Sequence, residues 1–423
     1  MSPLHDSELV EGLTVGYIKV AGFWTIVNDY RAGGRKNAVF TVYMALSCIL
    51  YGPLAVFSTI GMFHVEANIQ GISLCILHPM SLVQAFVKIA VFWLGLETQA
   101  RLFDVLKSDF LENVPENERK ATGEILRKRA SKTTRIVKLV IGVNVFMILW
   151  WIVLPILRSE FFRFTLGVTF LGVPKTQNSI SEIWLPVDSS ASPWTEIVYC
   201  YEAGVAIFGT TVITLLESLI VQLFSMLTAN MEALAYLLNR LNFSNFAAQN
   251  PGKGRDEVIR RMRQQMRCYI LEHQKLMKAG EDLKTLYSAL ISVQLATGLI
   301  ILTISIFNFF LGSDDGDLIE ASKFILYLLS AVIEVTLYCN CGDALEEMSE
   351  NLGLAAYSSE WYFMDPKSRR SILMMIVRSR KPVLLKSAGI WPVNLTTLKA
   401  LLQVAYSTSM LLYRVSHGEK GLA

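Results

Sequence analysis

Residues 139–157 read LVIGVNVFMILWWIVLPIL, an apolar run without a single charged side chain. Its length matches the roughly 20 residues that an α-helix needs to cross the hydrocarbon core of a bilayer. Further apolar runs, of which some contain one or two charged residues, recur along the chain at 38–60, 71–96, 197–229, 286–312, 322–341 and 394–415. The sequence therefore predicts an all-α bundle of seven transmembrane helices, of which the last is the least apolar.

The composition agrees with a membrane protein. Of the 423 residues, 52% are apolar and 18% are charged, and the mean hydropathy is +0.41. Soluble proteins carry about 25% charged residues, so this chain has too few charges to cover the surfaces of several soluble domains. The cysteines form no CxxC pair, and the sequence contains no HExxH, GxSxG or Walker A motif. We therefore expect no enzyme activity, no metal, no cofactor and no nucleic-acid partner.

Lysine and arginine are concentrated in alternate connections between the spans. Segments 1–37, 97–132, 230–285 and 342–386 hold 29 of these residues, whereas the connections on the other side hold 6. Because positive residues remain on the cytoplasmic side, the N-terminus is expected in the cytoplasm and the C-terminus outside the cell. A G-protein-coupled receptor has the opposite orientation, and the Asp-Arg-Tyr motif of that family is missing after span three. That class is the less favoured alternative.

The seventh span carries one polar face. Its polar and charged members, with one methionine, recur at every third or fourth position: Thr396, Lys399, Gln403, Ser407, Met410 and Arg414. This spacing places them on one side of a helix, and lipid cannot cover such a side. The helix could line a pore, with one copy from each subunit of an oligomer, or the polar face could be buried inside one subunit. The spacing alone favours neither arrangement.

Two basic segments are predicted to form cytoplasmic helices. Residues 255–284 have helical periodicity and are expected to extend spans four and five below the membrane, although such a helix can also bind anionic lipid or calmodulin. Asp365 followed by Pro366 is typical of a helix start, and this helix is expected to end near Gly389. Trp361, just upstream, is suited either to anchoring an assembly of subunits or to packing within one chain.

Aromatic and weakly polar side chains are concentrated in the predicted outer half of the bundle. The candidates for a ligand pocket are Met80, Gln84, Phe86, Phe146, Trp150, Tyr201, Tyr327 and Ser330. A cavity lined in this way would bind a small, apolar, uncharged ligand. Charged residues inside spans are functional candidates by default: Lys88, Glu202, Glu217 and Glu334. The favoured explanation for these four is that they pair with polar groups of neighbouring helices.

The C-terminal region resembles that of insect odorant receptors. The segments that carry the resemblance are Tyr338-Cys339-x-Cys341-Gly342, Ala356-Tyr357 with Trp361, Arg378-Ser379-Arg380-Lys381-Pro382, Leu395-Thr-Thr-Leu398, Ala405-Tyr406-Ser407 and Leu411-Leu412. The predicted seven-span topology agrees with that family over the whole chain.

The resemblance implies a ligand-gated, non-selective cation channel in the plasma membrane of a sensory neuron dendrite. In this family four subunits surround a pore lined by the second half of span seven, and each holds an odorant pocket. The implied pore residues are Gln403, Ser407, Leu411, Arg414 and Val415, with the hydrophobic gate at Leu411 and Val415. The implied subunit anchor includes Tyr357, Trp361 and Pro382. The implied partners are the odorant receptor co-receptor in a heterotetramer, a small volatile organic ligand, permeant cations and the lipid bilayer.

Segment 230–285 is shorter than the corresponding region of the family's co-receptor, so the chain resembles a ligand-binding, tuning subunit. Arg414 is unexpected beside a cation gate, and would either point aside or lower the conductance. A gustatory receptor of the same superfold is the nearest alternative. The chain is thus divided into a cytoplasmic N-terminus (1–37), the ligand-binding spans one to four (38–229) and a cytoplasmic helical extension (230–285). Spans five and six (286–341) follow, then an anchor with the first half of span seven (342–388), and finally the pore-lining second half with an extracellular tail (389–423).

Overall fold

The structure, a computed structural model, describes residues 38–64, 69–107, 114, 116–158, 194–241, 254–314 and 318–420. Within them the chain forms α1 (Ala38–His64), α2 (Ile69–Leu94), α3 (Leu96–Lys107), α4 (Glu116–Arg158), α5 (Trp194–Asn239), α6 (Arg255–Asp314), α7 (Leu318–Ser358), a 3-10 helix (Trp361–Phe363), α8 (Pro366–Ser379), strands β1 (Lys386–Ser387) and β2 (Trp391–Pro392), and α9 (Leu395–Lys420). The predicted all-α class is confirmed. The predicted N-terminal segment 1–37 lies outside the described residues.

The seven predicted spans lie in α1, α2, α4, α5, α6, α7 and α9. By length and apolar composition, four helices among the described residues qualify as membrane spans (α4 to α7), or five when α2 and α3 are taken as one bent span. The α2–α3 bend measures 68° and lies at Gly95, where a side chain would overlap Leu286 of α6. Helix α9 is not among these helices, because its polar face lowers the apolar content.

The longest helix is α6, which runs without a break for 60 residues. At 1.5 Å per residue it is about 90 Å long, roughly three times the thickness of the hydrocarbon core. It packs against α2, α5, α7 and α9, and its buried side chains extend from Val258 to Gly312. The prediction that residues 255–284 extend span five as a helix is therefore confirmed. Helix α5 likewise continues beyond its predicted span, to Asn239.

The predicted start of α8 is confirmed. Asp365 is the N-cap residue, and its carboxylate accepts a hydrogen bond from the backbone N–H of Lys367 at 3.2 Å. Pro366 occupies the first helical position, where its missing N–H leaves no helical hydrogen bond unmade. Arg263 of α6 binds the same carboxylate at 3.0 Å, which ties α8 to the long central helix.

The predicted end of this helix near Gly389 is wrong, because α8 ends at Ser379. Pro382 follows three residues later, and inside a helix it would remove a backbone hydrogen bond and clash with the preceding turn. The chain instead forms an antiparallel pair of β1 and β2. Ala388 and Gly389 in the connecting turn have φ angles of 49° and 73°, in the left-handed region that a right-handed helix cannot contain.

The last span was predicted to begin at residue 394, and α9 begins at Leu395. The side chain of Asn394 accepts a hydrogen bond from the backbone N–H of Thr397 at 3.0 Å and so caps the first turn. Further along, the hydroxyl of Ser409 donates to the backbone carbonyl of Thr303 in α6 at 2.7 Å. Ser409 and Ala405, one turn apart, are fully buried, so one face of α9 packs on α6.

Candidate functional site

A cavity of about 160 Å³ lies among α2, α4, α5, α6 and α7. An engineered cavity of about 150 Å³ binds benzene, so this one is large enough for a small organic molecule. Its wall is formed by Ser81, Gln84, Val140, Val143, Asn144, Met147, Thr210, Ile213, Thr214, Glu217, Ile301, Tyr327, Ser330, Ala331, Ile333 and Glu334. Tyr327 is the one aromatic residue in the described wall, and nine of the sixteen wall residues have polar or charged side chains. The cavity is thus less aromatic and more polar than predicted.

Hydrogen bonds between helices fix the polar side chains of the wall. The amide of Gln84 donates to the hydroxyl of Thr297 at 2.8 Å. The amide nitrogen of Asn144 donates to the hydroxyl of Thr214 at 2.9 Å, and the amide oxygen of Asn144 accepts from the hydroxyl of Ser330 at 3.1 Å. These contacts join α2 to α6, α4 to α5 and α7 to α4. Polar side chains bonded in this way hold membrane helices at fixed rotations.

Three charged side chains meet beside the cavity. The ammonium of Lys88 in α2 lies 2.6 Å from a carboxylate oxygen of Glu217 in α5 and also binds a carboxylate oxygen of Glu334 in α7. The three side chains are 1%, 6% and 16% exposed, respectively. These residues are hereafter called the Lys88 triad. The expectation was that the four charged residues pair with polar groups of neighbouring helices, and three of them, Lys88, Glu217 and Glu334, pair with one another across three helices.

Three of the predicted pocket residues line the cavity, namely Gln84, Tyr327 and Ser330. The hydroxyl of Tyr327 forms a hydrogen bond with the hydroxyl of Ser81, another wall residue, and the Tyr327 ring lies 5.6 Å from the ring of Trp151, centroid to centroid. Ser81 and Gln84 belong to α2, and Tyr327 and Ser330 belong to α7. The cavity wall thus brings together two helices that are far apart in the sequence.

The other predicted pocket residues lie outside the wall. Met80 is partly buried in an apolar cluster with Leu77 and Ile301. The hydroxyl of Tyr201 donates to the backbone carbonyl of Leu50 in α1 at 2.6 Å, which joins α5 to α1.

Phe86, Phe146 and Trp150 lie on or near the surface of the bundle. Phe86 packs edge-on against Tyr51 and is exposed, and the side chain of Phe146 is 55% exposed. Trp150 stacks on Phe146 with ring centroids 6.5 Å apart, and its indole N–H donates to the hydroxyl of Ser322 at 3.0 Å. Aromatic content alone did not separate such residues from cavity residues. Asn144, a single amide in an otherwise apolar span, was the signal that the prediction missed.

The polar face of α9 is exposed along most of its length. All five predicted pore residues are exposed: Gln403, Ser407, Leu411, Arg414 and Val415. The side chains of Leu411 and Val415, the predicted gate, are 62% and 46% exposed. The described residues of the chain leave that face uncovered, which favours a contact with water or another subunit over a polar face buried inside one subunit.

The predicted anchor residues lie at the end of the bundle opposite the predicted gate. Tyr357 is exposed, Trp361 is partly buried against the main apolar core, and Pro382 is half-buried. Large apolar side chains are exposed around them: Leu354, Tyr362, Phe363, Leu373, Met374 and Val377. An exposed apolar patch of this kind is typical of a surface that contacts another protein.

One histidine is buried in the same region. The imidazole of His273 in α6 lies 3.4 Å from the hydroxyl of Ser379 at the end of α8. Burial and, to a smaller extent, the nearby charge of Arg378 lower the pKa of His273 to about 4. This side chain is therefore neutral at physiological pH.

Residues 81–406 match the family model described as 7tm Odorant receptor. Among curated proteins, the chain is 33% identical over 84 residues to Odorant receptor 67a of Drosophila melanogaster, which covers 20% of this chain and 21% of that protein. It is 25% identical over 146 residues to Odorant receptor 10a of the same species, covering 34% and 35%. The alignments thus span about a fifth to a third of the curated relatives. These relatives are receptors, in agreement with the prediction that the chain is not an enzyme.

The fold is similar to that of solved insect olfactory receptors. OR5 from Machilis hrabei in complex with eugenol superposes with a TM-score of 0.73 at 19% identity, covering 89% of each chain. A second structure of OR5 from Machilis hrabei gives a TM-score of 0.70 at 17% identity, covering 90% of this chain and 89% of that one. The seven-helix membrane fold is thereby confirmed, and the chain is a multi-pass membrane protein. Because the family model matches most of the sequence, the chain belongs to the 7tm odorant receptor family.

Proposed function

We propose that this odorant receptor is the ligand-binding subunit of an odorant-gated, non-selective cation channel. The observation that carries the proposal is the exposed polar face of α9, since a face of this kind inside a membrane protein has to contact water or other protein. Copies of α9 from several subunits, arranged around one axis, would surround a water-filled path with Gln403 and Ser407. Leu411 and Val415 would then close that path as a hydrophobic gate.

The cavity among α2, α4, α5, α6 and α7 is proposed as the odorant site. Its volume suits a small volatile molecule, and Gln84, Tyr327 and Ser330 contribute polar groups that would orient it. The solved relative in complex with eugenol supports a small organic ligand in this fold. Met80, Phe86, Phe146, Trp150 and Tyr201 would then act around the site rather than in its wall.

Helix α6 connects the proposed site to the proposed pore. Ile301 of α6 contributes to the cavity wall, and Thr303, two residues further along, accepts the hydrogen bond from Ser409 of α9. A ligand that fits the open arrangement better than the closed one would shift the population toward the open pore. The size of that shift is set by the difference between its affinities for the two arrangements.

The assembly is proposed to be a tetramer with the co-receptor in the plasma membrane, with the N-terminus in the cytoplasm and the C-terminus outside. The excess of positive residues in segments 97–132, 230–285 and 342–386 supports this orientation. The exposed apolar surface around Tyr357, Trp361 and Pro382 supports a contact between subunits below the membrane.

The test is whole-cell current from cells that express this chain with an insect co-receptor, under a panel of volatile alcohols, esters and terpenes. Fast cation current that requires both chains and an odorant is expected. Cells that express each chain alone are the controls. If surface-labelled pairs gave no current with any volatile, the channel proposal would be wrong. Responses to non-volatile tastants alone would instead favour a gustatory receptor of the same superfold.

A further inference from the structure

We propose that a second groove, between α4, α5 and α7, binds an anionic phospholipid whose phosphate contacts Arg129 and Lys132. This groove has a volume of about 50 Å³ and shares no wall residue with the odorant cavity. It is hereafter called the basic groove, and its wall includes both cations and Asn340 of α7. The proposal goes beyond the proposed function and takes from it only the orientation of the chain in the membrane.

The basic groove lies at the level where three of the predicted spans end. Thr228 is one residue from the end of the fourth span, and Cys341 is the last residue of the sixth. Lys132 lies seven residues before the uncharged run that begins at Leu139. That separation is about 10 Å along a helix, so the long Lys132 side chain can reach the headgroup layer just outside the hydrocarbon core.

The wall of the basic groove changes from apolar to polar in the same direction on all three helices. Ile136, Val221 and Leu337, one from each helix, lie on the membrane side. The polar members of the wall lie farther from the middle of the membrane: Arg129, Lys132, Ser225, Thr228 and Asn340. A phospholipid has the same order, because its acyl chains lie in the hydrocarbon and its phosphate lies at the edge.

The two cations have capacity for an anion. Lys132 is exposed, and its ammonium forms no hydrogen bond or ion pair with any residue that the structure describes. Arg129 binds the carboxylate of Glu232 through Nε and contacts the sulfur of Met348 through Nη2 at 3.5 Å. A guanidinium has five N–H donors, so those of Nη1 remain for a phosphate oxygen.

The charge of the basic groove matches one phosphodiester. Its described wall contains no Asp or Glu side chain that would repel an anion. With Glu232 beside the wall included, Arg129 and Lys132 leave a net charge of +1. The volume is enough for about three to five water molecules, which a phosphate group can displace while the rest of the headgroup stays outside.

The proposed orientation places the basic groove on the side where anionic lipids are found. Segment 97–132 is then cytoplasmic, and the cytoplasmic leaflet carries phosphatidylserine and phosphatidylinositol. Basic pockets between transmembrane helices on that side are typical binding sites for anionic headgroups. A lipid headgroup is therefore the occupant that the position and the charge favour over a soluble anion.

The test is native mass spectrometry of the purified full-length receptor in detergent. It is titrated with 1-palmitoyl-2-oleoyl phosphatidylserine or with phosphatidylcholine that carries the same chains. Phosphatidylserine is expected to bind with a Kd at least about fivefold lower, because one basic residue near an anionic lipid contributes about that factor. The measurement needs neither the co-receptor nor an odorant, so it does not depend on the proposed channel activity.

Lys132→Gln removes one cation of the basic groove and should raise the Kd of phosphatidylserine about fivefold, whereas Lys132→Arg should bind like the wild type. The matched control is Lys138→Gln. Lys138 is another exposed lysine of α4 and lies closer to the membrane, nine residues from Arg129. Nine residues are two and a half turns, which places Lys138 on the opposite side of the helix. Its substitution should leave the Kd unchanged.

Several results would overturn the proposal. Equal Kd values of the two lipids in the wild type would do so without any variant. Equal losses in Lys132→Gln and Lys138→Gln would reduce the effect to a general attraction to basic surfaces. Displacement of the lipid by an equal concentration of glycerophosphoserine, the headgroup without acyl chains, would identify a site for soluble anions instead.

The proposal and the proposed function can fail separately. Odorant-evoked currents in a receptor without any preference for phosphatidylserine would refute the lipid site and leave the channel intact. Selective phosphatidylserine binding that Lys132→Gln weakens, in a receptor that gives no current, would support the lipid site and remove the proposed function.

Discussion

Lys88→Met should destabilise the receptor strongly. The substitution keeps an unbranched side chain in a site that is almost fully enclosed, but it removes the cation that Glu217 and Glu334 share. Breaking a buried ion pair by removing one partner costs about 3–5 kcal/mol, because the remaining charge is left without compensation. Here two carboxylates lose their partner together. Since folded proteins are stable by only about 5–15 kcal/mol, the loss should be visible in both folding yield and thermal stability.

The assay is thermal melting of the purified receptor in detergent, together with surface labelling in cells. Lys88→Met alone should melt at a lower temperature and reach the surface less. The charge-free combination of Lys88→Met, Glu217→Met and Glu334→Met should recover most of the loss, because replacing a complete buried ion pair by well-packed apolar residues of similar volume is often neutral or stabilising. A Lys88→Met receptor that melts like the wild type would refute the reasoning. So would a charge-free combination that is no more stable than the single variant.

Four further outcomes are expected. Tyr327→Phe should weaken odorant potency severalfold in dose–response curves, because it removes a hydrogen bond at the cavity wall. Trp150→Phe should leave potency unchanged, and a larger effect of Trp150→Phe than of Tyr327→Phe would move the site toward α4. Gly342→Ala should lower the melting temperature by the equivalent of about 1–3 kcal/mol, since its methyl group would overlap the backbone carbonyl just before α9; no change would mean that this junction can relax. Arg414→Gln should raise single-channel conductance to cations, and an unchanged conductance would place Arg414 away from the pore. Because the pKa of His273 is lowered from 6.5 to about 4, the folded state should lose about 2 kcal/mol at pH 5 relative to pH 8, and His273→Gln should melt with a flatter acid dependence; parallel profiles would contradict this.

The features that the sequence predicted well depend on neighbouring residues in the chain. The cap at Asp365 and the helical continuation through 255–284 follow from local chemistry and periodicity. The polar face of α9 follows from the spacing of Gln403, Ser407 and Arg414. The spacing did not decide whether that face lines a pore or is buried inside one subunit. The predicted end of α8 near Gly389 was wrong because it followed the helical pattern past Pro382, a residue that a helix interior does not accommodate.

The cavity required information that one span does not contain. Asn144 and Phe146 are two residues apart on α4, yet Asn144 lines the cavity and Phe146 lies on the surface. Their difference is set by the rotation of α4 about its axis, which depends on its contacts with α5 and α7. The Lys88 triad joins residues 129 and 246 positions apart, so its pairing was not visible in the sequence although each charge was.

The packing of α9 on its neighbours has a consequence for the speed of the proposed gating. Among its described residues, only Ala405 and Ser409 are fully buried, and both have small side chains. A helix seated on small side chains can approach its neighbour closely, and the larger residues Leu398, Leu401 and Leu402 are only partly buried against the core clusters. A small rotation or slide of α9 would then break the hydrogen bonds that Ser409 and Tyr413 make with α6, without moving any fully buried large side chain of α9. A ligand with a modest preference for one position of α9 could therefore shift the helix quickly and reversibly.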